Sequence, residues 1–198
     1  MADFKAALEH TLSVEGGYVN DPKDLGGETY KGIARKYHPN WGGWKVIDAT
    51  KEKPCFPLCL SRDQELQDEV AIFYKKKFWD VMKLDELVSQ AIAEELFDTG
   101  VNIGWKRVAK WFQESLNLLN RDEKDFDDLT VDGAIGKKSL DAFKAYMNTS
   151  RFSSRNREKN EKVMLKVLNH AQIDRYKRIT VARKTNEAFF YGWIANRA

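Results

Sequence analysis

Apolar residues recur along most of this chain at helical spacing. Phe4, Ala7, Leu8, Thr11 and Leu12 fall on one face behind Asp3, which can cap a first helix, and the pattern stops at Gly16-Gly17. Residues 18–32 are rich in Gly, Asn, Asp and Pro, which predicts tight turns and a short irregular hairpin in place of a second helix. Residues 40–60, with Trp41, Gly42, Gly43, Trp44, Pro54 and Pro57, read as a long structured loop. Ser61-Arg62-Asp63-Gln64 is a capping-box pattern, and Leu66, Val70, Phe73 and Trp79 follow at nearly helical spacing, predicting a helix of about 17 residues. Two further helices are expected over 87–102 and 105–119, broken at Gly104, with Ile92, Leu96 and Phe97 on one face of the first. After an acidic turn region at 122–128, Val131-Asp132-Gly133 predicts a turn, and helical patterning returns at 137–148, 158–180 and 187–196. The expectation is a mainly α, two-lobed protein whose least regular and most polar segment directly follows the first helix.

Composition narrows the class without fixing it. The chain has 198 residues, 42% hydrophobic and 32% charged, as in a globular protein, and no apolar run approaches the roughly 18 residues of a membrane span. The first ten residues lack the apolar stretch and small-residue cleavage site of a secretory signal, so synthesis in the cytoplasm is expected, and a monomer. A formal net charge of +3 hides an asymmetry: residues 1–100 are net −5 and residues 101–198 net +8. Basic residues concentrate between positions 151 and 184, which fits a solvated helical surface or attraction to an anionic polymer. Cys55 and Cys59 have only His38 nearby, too few ligands for structural zinc, so no metal is expected; a local disulfide is possible and not compelled.

The chemistry concentrates after the first helix, in residues 14–33. Glu15 ends an apolar helical pattern beside two glycines, so its carboxyl can be partly desolvated while a ligand still approaches closely. Desolvation raises a Glu pKa, and a retained proton is what a general acid needs to protonate a glycosidic oxygen. Asp21, Asp24 and Glu28 offer the second carboxylate that glycosidases usually place across the sugar, and Asp24 is the choice. Thr29 could orient the attacking water, Tyr18 and Tyr30 could present flat faces to sugar rings, and Asn20 completes the set of candidate substrate contacts. Each has a plainer reading: Glu15 as a solvated helix end, Asp24 as a turn former bonded to its own backbone, and Thr29, Tyr18 and Tyr30 as loop packing.

The string Glu15-Gly-Gly-Tyr-Val-Asn-Asp-Pro-x-Asp-x-Gly-Gly-x-Thr-x-x-Gly-Ile33 resembles the signature of glycoside hydrolase family 108. That resemblance implies a lysozyme-like α+β domain and an N-acetylmuramidase that cuts the β-1,4 bond between N-acetylmuramic acid and N-acetylglucosamine, with Glu15 as its acid. The chain is also similar to phage-type lysozymes, which set Glu, Asp and Thr around a hairpin with eight residues between Glu and Asp. Glu15 and Asp24 keep that gap, whereas four residues separate Asp24 from Thr29 where those lysozymes have five, which implies a reshaped hairpin. Residues 97–104, Phe-Asp-Thr-Gly-Val-Asn-Ile-Gly, resemble the family's second element; Asp98 and Asn102 would share a helix face and could bond sugar hydroxyls or acetamido groups, or else buttress the helix end. Residues 129–140 look like the Val-Asp-Gly-x-x-Gly-x-x-Thr-Leu element of helical peptidoglycan-binding domains, with Ser139 where Thr is usual. The terminal Phe189, Phe190 and Trp193 are similar to the family's ending and read as core aromatics.

The expected organisation is therefore a lysozyme-like catalytic domain over 1–107 and a helical peptidoglycan-binding-like domain over 108–198. The implied partner is the glycan strand of peptidoglycan, with no cofactor, because side chains supply both the proton and the activation of the nucleophile or water. Without a signal, the resemblance is to phage or prophage endolysins released through a membrane lesion, or to exported bacteriolytic effectors, acting at the bacterial cell wall. Two other classes compete. A non-catalytic wall-binding module would not need an acid at position 15, and a nucleic-acid binder would need more than a basic second half, since zinc-finger spacings and basic-region heptads are missing and the first half is acidic.

Overall fold

The computed structural model describes residues 1–12, 16–20, 27–149 and 157–197. The chain divides into two compact units, one of residues 8–77 and one of residues 1–7 with 78–198. The first helix, α1 (Phe4–Leu12), begins in the second of these and ends in the first. As its sequence predicts, Asp3 caps it, its carboxylate accepting from the Lys5 N–H at 2.8 Å.

Unit 8–77 holds a three-stranded antiparallel sheet, β1 (Tyr18–Val19), β2 (Thr29–Tyr30) and β3 (Ile33–Ala34), in that order. Tyr18 faces Tyr30 and Val19 faces Thr29; Thr29 also faces Ala34 and Tyr30 faces Ile33. Strands β2 and β3 are joined by Lys31-Gly32, both at positive φ, the turn whose twist matches that of paired strands. The segment read from sequence as a loop contains a helix, α2 (Gly43–Thr50). Its buried residues Trp44, Ile47 and Thr50 recur every third position, and the Trp44 indole donates to the His38 carbonyl at 2.7 Å. Two adjacent glycines mask that periodicity. Cys55 and Cys59 form a disulfide.

Helix α3 (Gln64–Tyr74) is capped by Asp63, which accepts from the Leu66 N–H at 3.0 Å, and not by Ser61, whose hydroxyl is spent on the Leu58 carbonyl inside the 3-10 turn Leu58–Arg62. The predicted 17-residue helix is thus shorter, and a wider π turn, Lys75–Trp79, follows it. Tyr30, Ile33, Trp44, Ile47, Leu60, Leu66, Val70 and Tyr74 form the unit's core, all at most 2% exposed. Each such side chain withdrawn from water contributes about 1.5–3 kcal/mol before entropy is counted.

The other unit is helical: α4 (Gln90–Ile103), α5 (Trp105–Leu118), α6 (Lys137–Asn148), α7 (Arg157–Ala182) and α8 (Glu187–Arg197). Ser89 caps α4 through the Ile92 N–H, and Gly104, at φ +96°, ends it and starts α5. Helix α4 packs on α5 and α7, and α7 also meets α5, α6 and α8. Along α7 the buried residues are Asn160, Met164, Leu168, Gln172 and Tyr176, one every four positions. That stripe leaves Lys159, Lys162, Lys166, Lys177 and Arg178 exposed, so much of the basic run is a solvated helix surface. No helix among the described residues is long and apolar enough to cross a membrane.

Candidate active site

The candidate site lies on the small sheet and the segments that enter it. Glu15, in the link between α1 and β1, and Asp24, between β1 and β2, fall outside the described residues. The scaffold on both sides of them is defined. The Lys31 N–H donates to the Gly17 carbonyl at 3.2 Å, tying the chain just after Glu15 to the β2–β3 turn. Thr29 is half-buried on β2, and its hydroxyl donates to the Gly27 carbonyl at 3.1 Å. With the proton engaged there, the lone pairs on Oγ1 remain able to accept a hydrogen bond.

Glu28 is the electrostatic centre of this sheet. Its carboxylate, 12% exposed, receives Arg35 Nη1 at 2.8 Å, Lys51 Nζ at 2.8 Å and the Tyr18 hydroxyl at 2.8 Å. Arg35 and Lys51 also reach Asp48, at 2.6 and 2.7 Å. Burial pushes the Glu28 pKa up, but the hydrogen bonds from Lys51, Arg35 and Tyr18 outweigh it and hold the carboxyl below its usual value. Glu28 is therefore an ionised anchor, unsuited to donate a proton near neutral pH. The same contacts, led by Arg35, hold Asp48 well below the carboxylate range. The sequence does not point to Arg35, Asp48 and Lys51, because Asp48 rides on α2 and Lys51 stands at its C-terminal end, where the sequence predicts a loop.

Of the aromatic candidates, Tyr18 is half-buried, its ring edge-on to Phe56 at 4.8 Å, and Asn20 is exposed just beyond it. Tyr30 is placed otherwise. It is 2% exposed, with its hydroxyl donating to the Leu60 carbonyl at 3.2 Å and accepting from Gln67 Nε2 at 3.0 Å. A ring so enclosed offers no face to a sugar, because the alternating pleat of β2 turns Tyr30 inward and Thr29 to the other side.

Asp98 and Asn102 share a face of α4, as their spacing requires, and protein partners occupy them both. Arg197 of α8 pairs with Asp98 at 2.9 Å, both side chains nearly buried, and the Asn102 amide donates to the Tyr176 hydroxyl of α7. These contacts buttress the helical unit. Another residue on α4 was missed: Glu95, largely buried, whose carboxyl is pushed up to about 7 by desolvation, with Asp98 adding to the rise and the Thr99 hydroxyl, donating at 2.9 Å, opposing it. The one sequence signal for it is its place, second of the pair Glu94-Glu95, directly before Leu96 and Phe97 of the apolar stripe. Among the described residues no cluster of His, Cys, Asp and Glu could hold a metal ion.

The model of the family described as Glycosyl hydrolase 108 matches residues 8–104, and the one described as Predicted Peptidoglycan domain matches residues 107–198. The chain belongs to glycosyl hydrolase family 108. As a family 108 member it is a glycoside hydrolase that acts on peptidoglycan. The SagA structure from Brucella abortus is similar to it, at 22% identity over 97% of this chain and 87% of that one, with a TM-score of 0.57, which shows that the two share a fold. This family 108 chain has no match among curated proteins.

Proposed function

We propose that the protein is an N-acetylmuramidase, cutting the β-1,4 bond between N-acetylmuramic acid and N-acetylglucosamine with Glu15 as general acid. The observation that carries this reading is that the Glu15–Ile33 string, the segment of the family match densest in candidate chemistry, contributes strands to a three-stranded sheet braced by a half-buried Glu28–Arg35–Lys51 cluster. A rigid frame matters because a general acid and its partner must be held within fractions of an ångström of working geometry. Asp24 is the second carboxylate, acting as nucleophile or as base to a water. Thr29, its proton held by Gly27, accepts from that water and fixes its direction. Tyr18 and Asn20 contact the glycan.

The hydrolase half, residues 1–107, carries the cleavage, and residues 108–198 grip the wall. The enzyme reaches its substrate after release through a membrane lesion or dedicated export. Purified peptidoglycan treated with the wild type and with Glu15→Gln, both checked for folding, tests the assignment through its new reducing ends. N-acetylmuramic ends from the wild type, with a loss of at least about 100-fold in the variant, are expected for removal of a general acid. Equal activity in both would mean that the acid is elsewhere, and wall binding without cleavage by either would make the protein a binding module.

A further inference from the structure

The Val131-Asp132-Gly133 motif is taken up by local folding. Asp132 accepts from the Gln113 amide and from the Ala134 N–H, both at 2.8 Å, and the Gln113 carbonyl accepts from the Gly133 N–H at 2.8 Å. What this turn does is build one wall of a groove of about 810 Å³, opposite the start of α6. That volume lies within the roughly 300–1,000 Å³ of small-ligand sites.

The lining is chemically mixed. Leu129, Ala142 and Ala145 supply an apolar floor of small or medium side chains. Most charged groups in the groove are already matched: Lys137 pairs with Asp141, and Asp128 accepts from Asn120. Asp127 and Lys138 are exposed and make no hydrogen bond or ion pair to any described residue, so one carboxylate and one ammonium face the groove unspent. Beside Lys138, the first turn of the 12-residue α6 begins at Gly136 with no side-chain cap, leaving amide donors that favour an anion. Phe126 is the groove's one aromatic lining residue among those described. A pyranose packs its C–H face on a flat aromatic ring, and Phe126 offers one such face at most, so the apolar floor and the unspent charges dominate the choice of ligand.

We propose that this groove binds the peptide stem of peptidoglycan by its free end, with the terminal carboxylate at Lys138 and the start of α6, the alanyl methyls on Leu129, Ala142 and Ala145, and the amine of the diamino acid at Asp127. This deepens the reading of residues 108–198 as the wall-binding lobe and rests on it. The ligand class is a short, small-residue peptide carrying both a free carboxylate and a free amine.

The test is calorimetric titration of the full chain with a synthetic stem pentapeptide, L-Ala, γ-linked D-Glu, L-Lys, D-Ala, D-Ala, beside a C-terminally amidated copy and peptide-free glycan strands. Saturable binding of the free pentapeptide is expected, weakened about tenfold by amidation or by Lys138→Glu, as for loss of one charge-assisted contact. Asp127→Asn should weaken the free peptide and leave its ε-acetylated form unaffected. No saturation at millimolar peptide, indifference to both substitutions, or competition by peptide-free glycan would overturn the groove assignment. Cleavage of whole peptidoglycan by the same wild-type preparation separates the two readings: cleavage without peptide binding removes the groove alone, and peptide binding without cleavage removes the muramidase alone.

Discussion

Two glutamates of this chain show how burial and partners decide what a carboxyl can do. Glu28 is nearly enclosed but meets Arg35, Lys51 and Tyr18, and is ionised; Glu95 is enclosed, with the Thr99 hydroxyl donating to it, the Asn169 amide within reach and Asp98 nearby, and its carboxyl is pushed up to about 7. The consequence for stability has a definite sign. Below the usual Glu value of 4.5 both folded and unfolded chains hold the Glu95 proton, and between there and about 7 the folded chain must retain a proton that the unfolded chain has released. Stability is therefore highest below the lower value and falls as pH rises, by about 3 kcal/mol once both forms are ionised. Glu95→Gln, which keeps the shape and removes the charge, should unfold at a higher temperature than wild type at pH 8 and no higher at pH 4.5. Thermal melts at the two pH values check this, and an equal difference at both would mean that Glu95 is solvated. Neither role is legible in the sequence, where Glu28 is one of three carboxylates on offer, with Asp24 preferred, and Glu95 carries no motif. Glu28 depends on Lys51, brought up from beyond α2, and Glu95 on the burial that comes with packing α4 against α5 and α7.

Among the elements, the helices with long apolar stripes follow the sequence closely, and the failures have local causes. Helix α2 was hidden by Gly42-Gly43 at its start, although Trp44 and Ile47 mark its buried face. The start of α3 moved two residues because Ser61 was already bonded within the preceding turn, leaving Asp63 to cap. Glycines at positive φ are costly to replace to different degrees. At Gly104, φ is +96° but a Cβ would meet nothing within 4 Å, whereas at Gly133, φ is +80° and a Cβ would sit 2.9 Å from the Lys106 carbonyl oxygen. Gly104→Ala should cost about 1–2 kcal/mol from backbone strain alone, and Gly133→Ala more, about 2–4 kcal/mol, from strain and collision together. Denaturant titrations of both variants rank them, and the reverse order would refute the collision.

On the scale of the whole molecule, the family models meet between residues 104 and 107, while the compact units divide at 77/78. The difference arises because α4, at the end of the hydrolase match, packs with the helices of the peptidoglycan domain. Ser89 donates to Glu161, Asp98 pairs with Arg197 and Asn102 bonds Tyr176. A fragment of residues 1–107 would keep α4 and lose these partners together with nearly all of α5. It should fail to give the cooperative melt of the full chain and should self-associate through the exposed α4 surface, which circular dichroism and size-exclusion chromatography would reveal. A fragment melting as sharply as the whole chain would show that this packing is dispensable.

The sequence by itself determined the mainly helical architecture, the hairpin after α1 and the family, because apolar periodicity, turn residues and a long contiguous string are local properties that survive without contacts. Tertiary structure alone decided that Tyr30 is core, that Asp98 and Asn102 are spent on Arg197 and Tyr176, that Glu28 is clamped and the Glu95 carboxyl pushed up by burial, and that Asp127 and Lys138 are left facing a groove. Each of those outcomes depends on which distant groups arrive to desolvate, pair or spare a side chain, and electrostatics at such distances is set by folding rather than by neighbours along the chain.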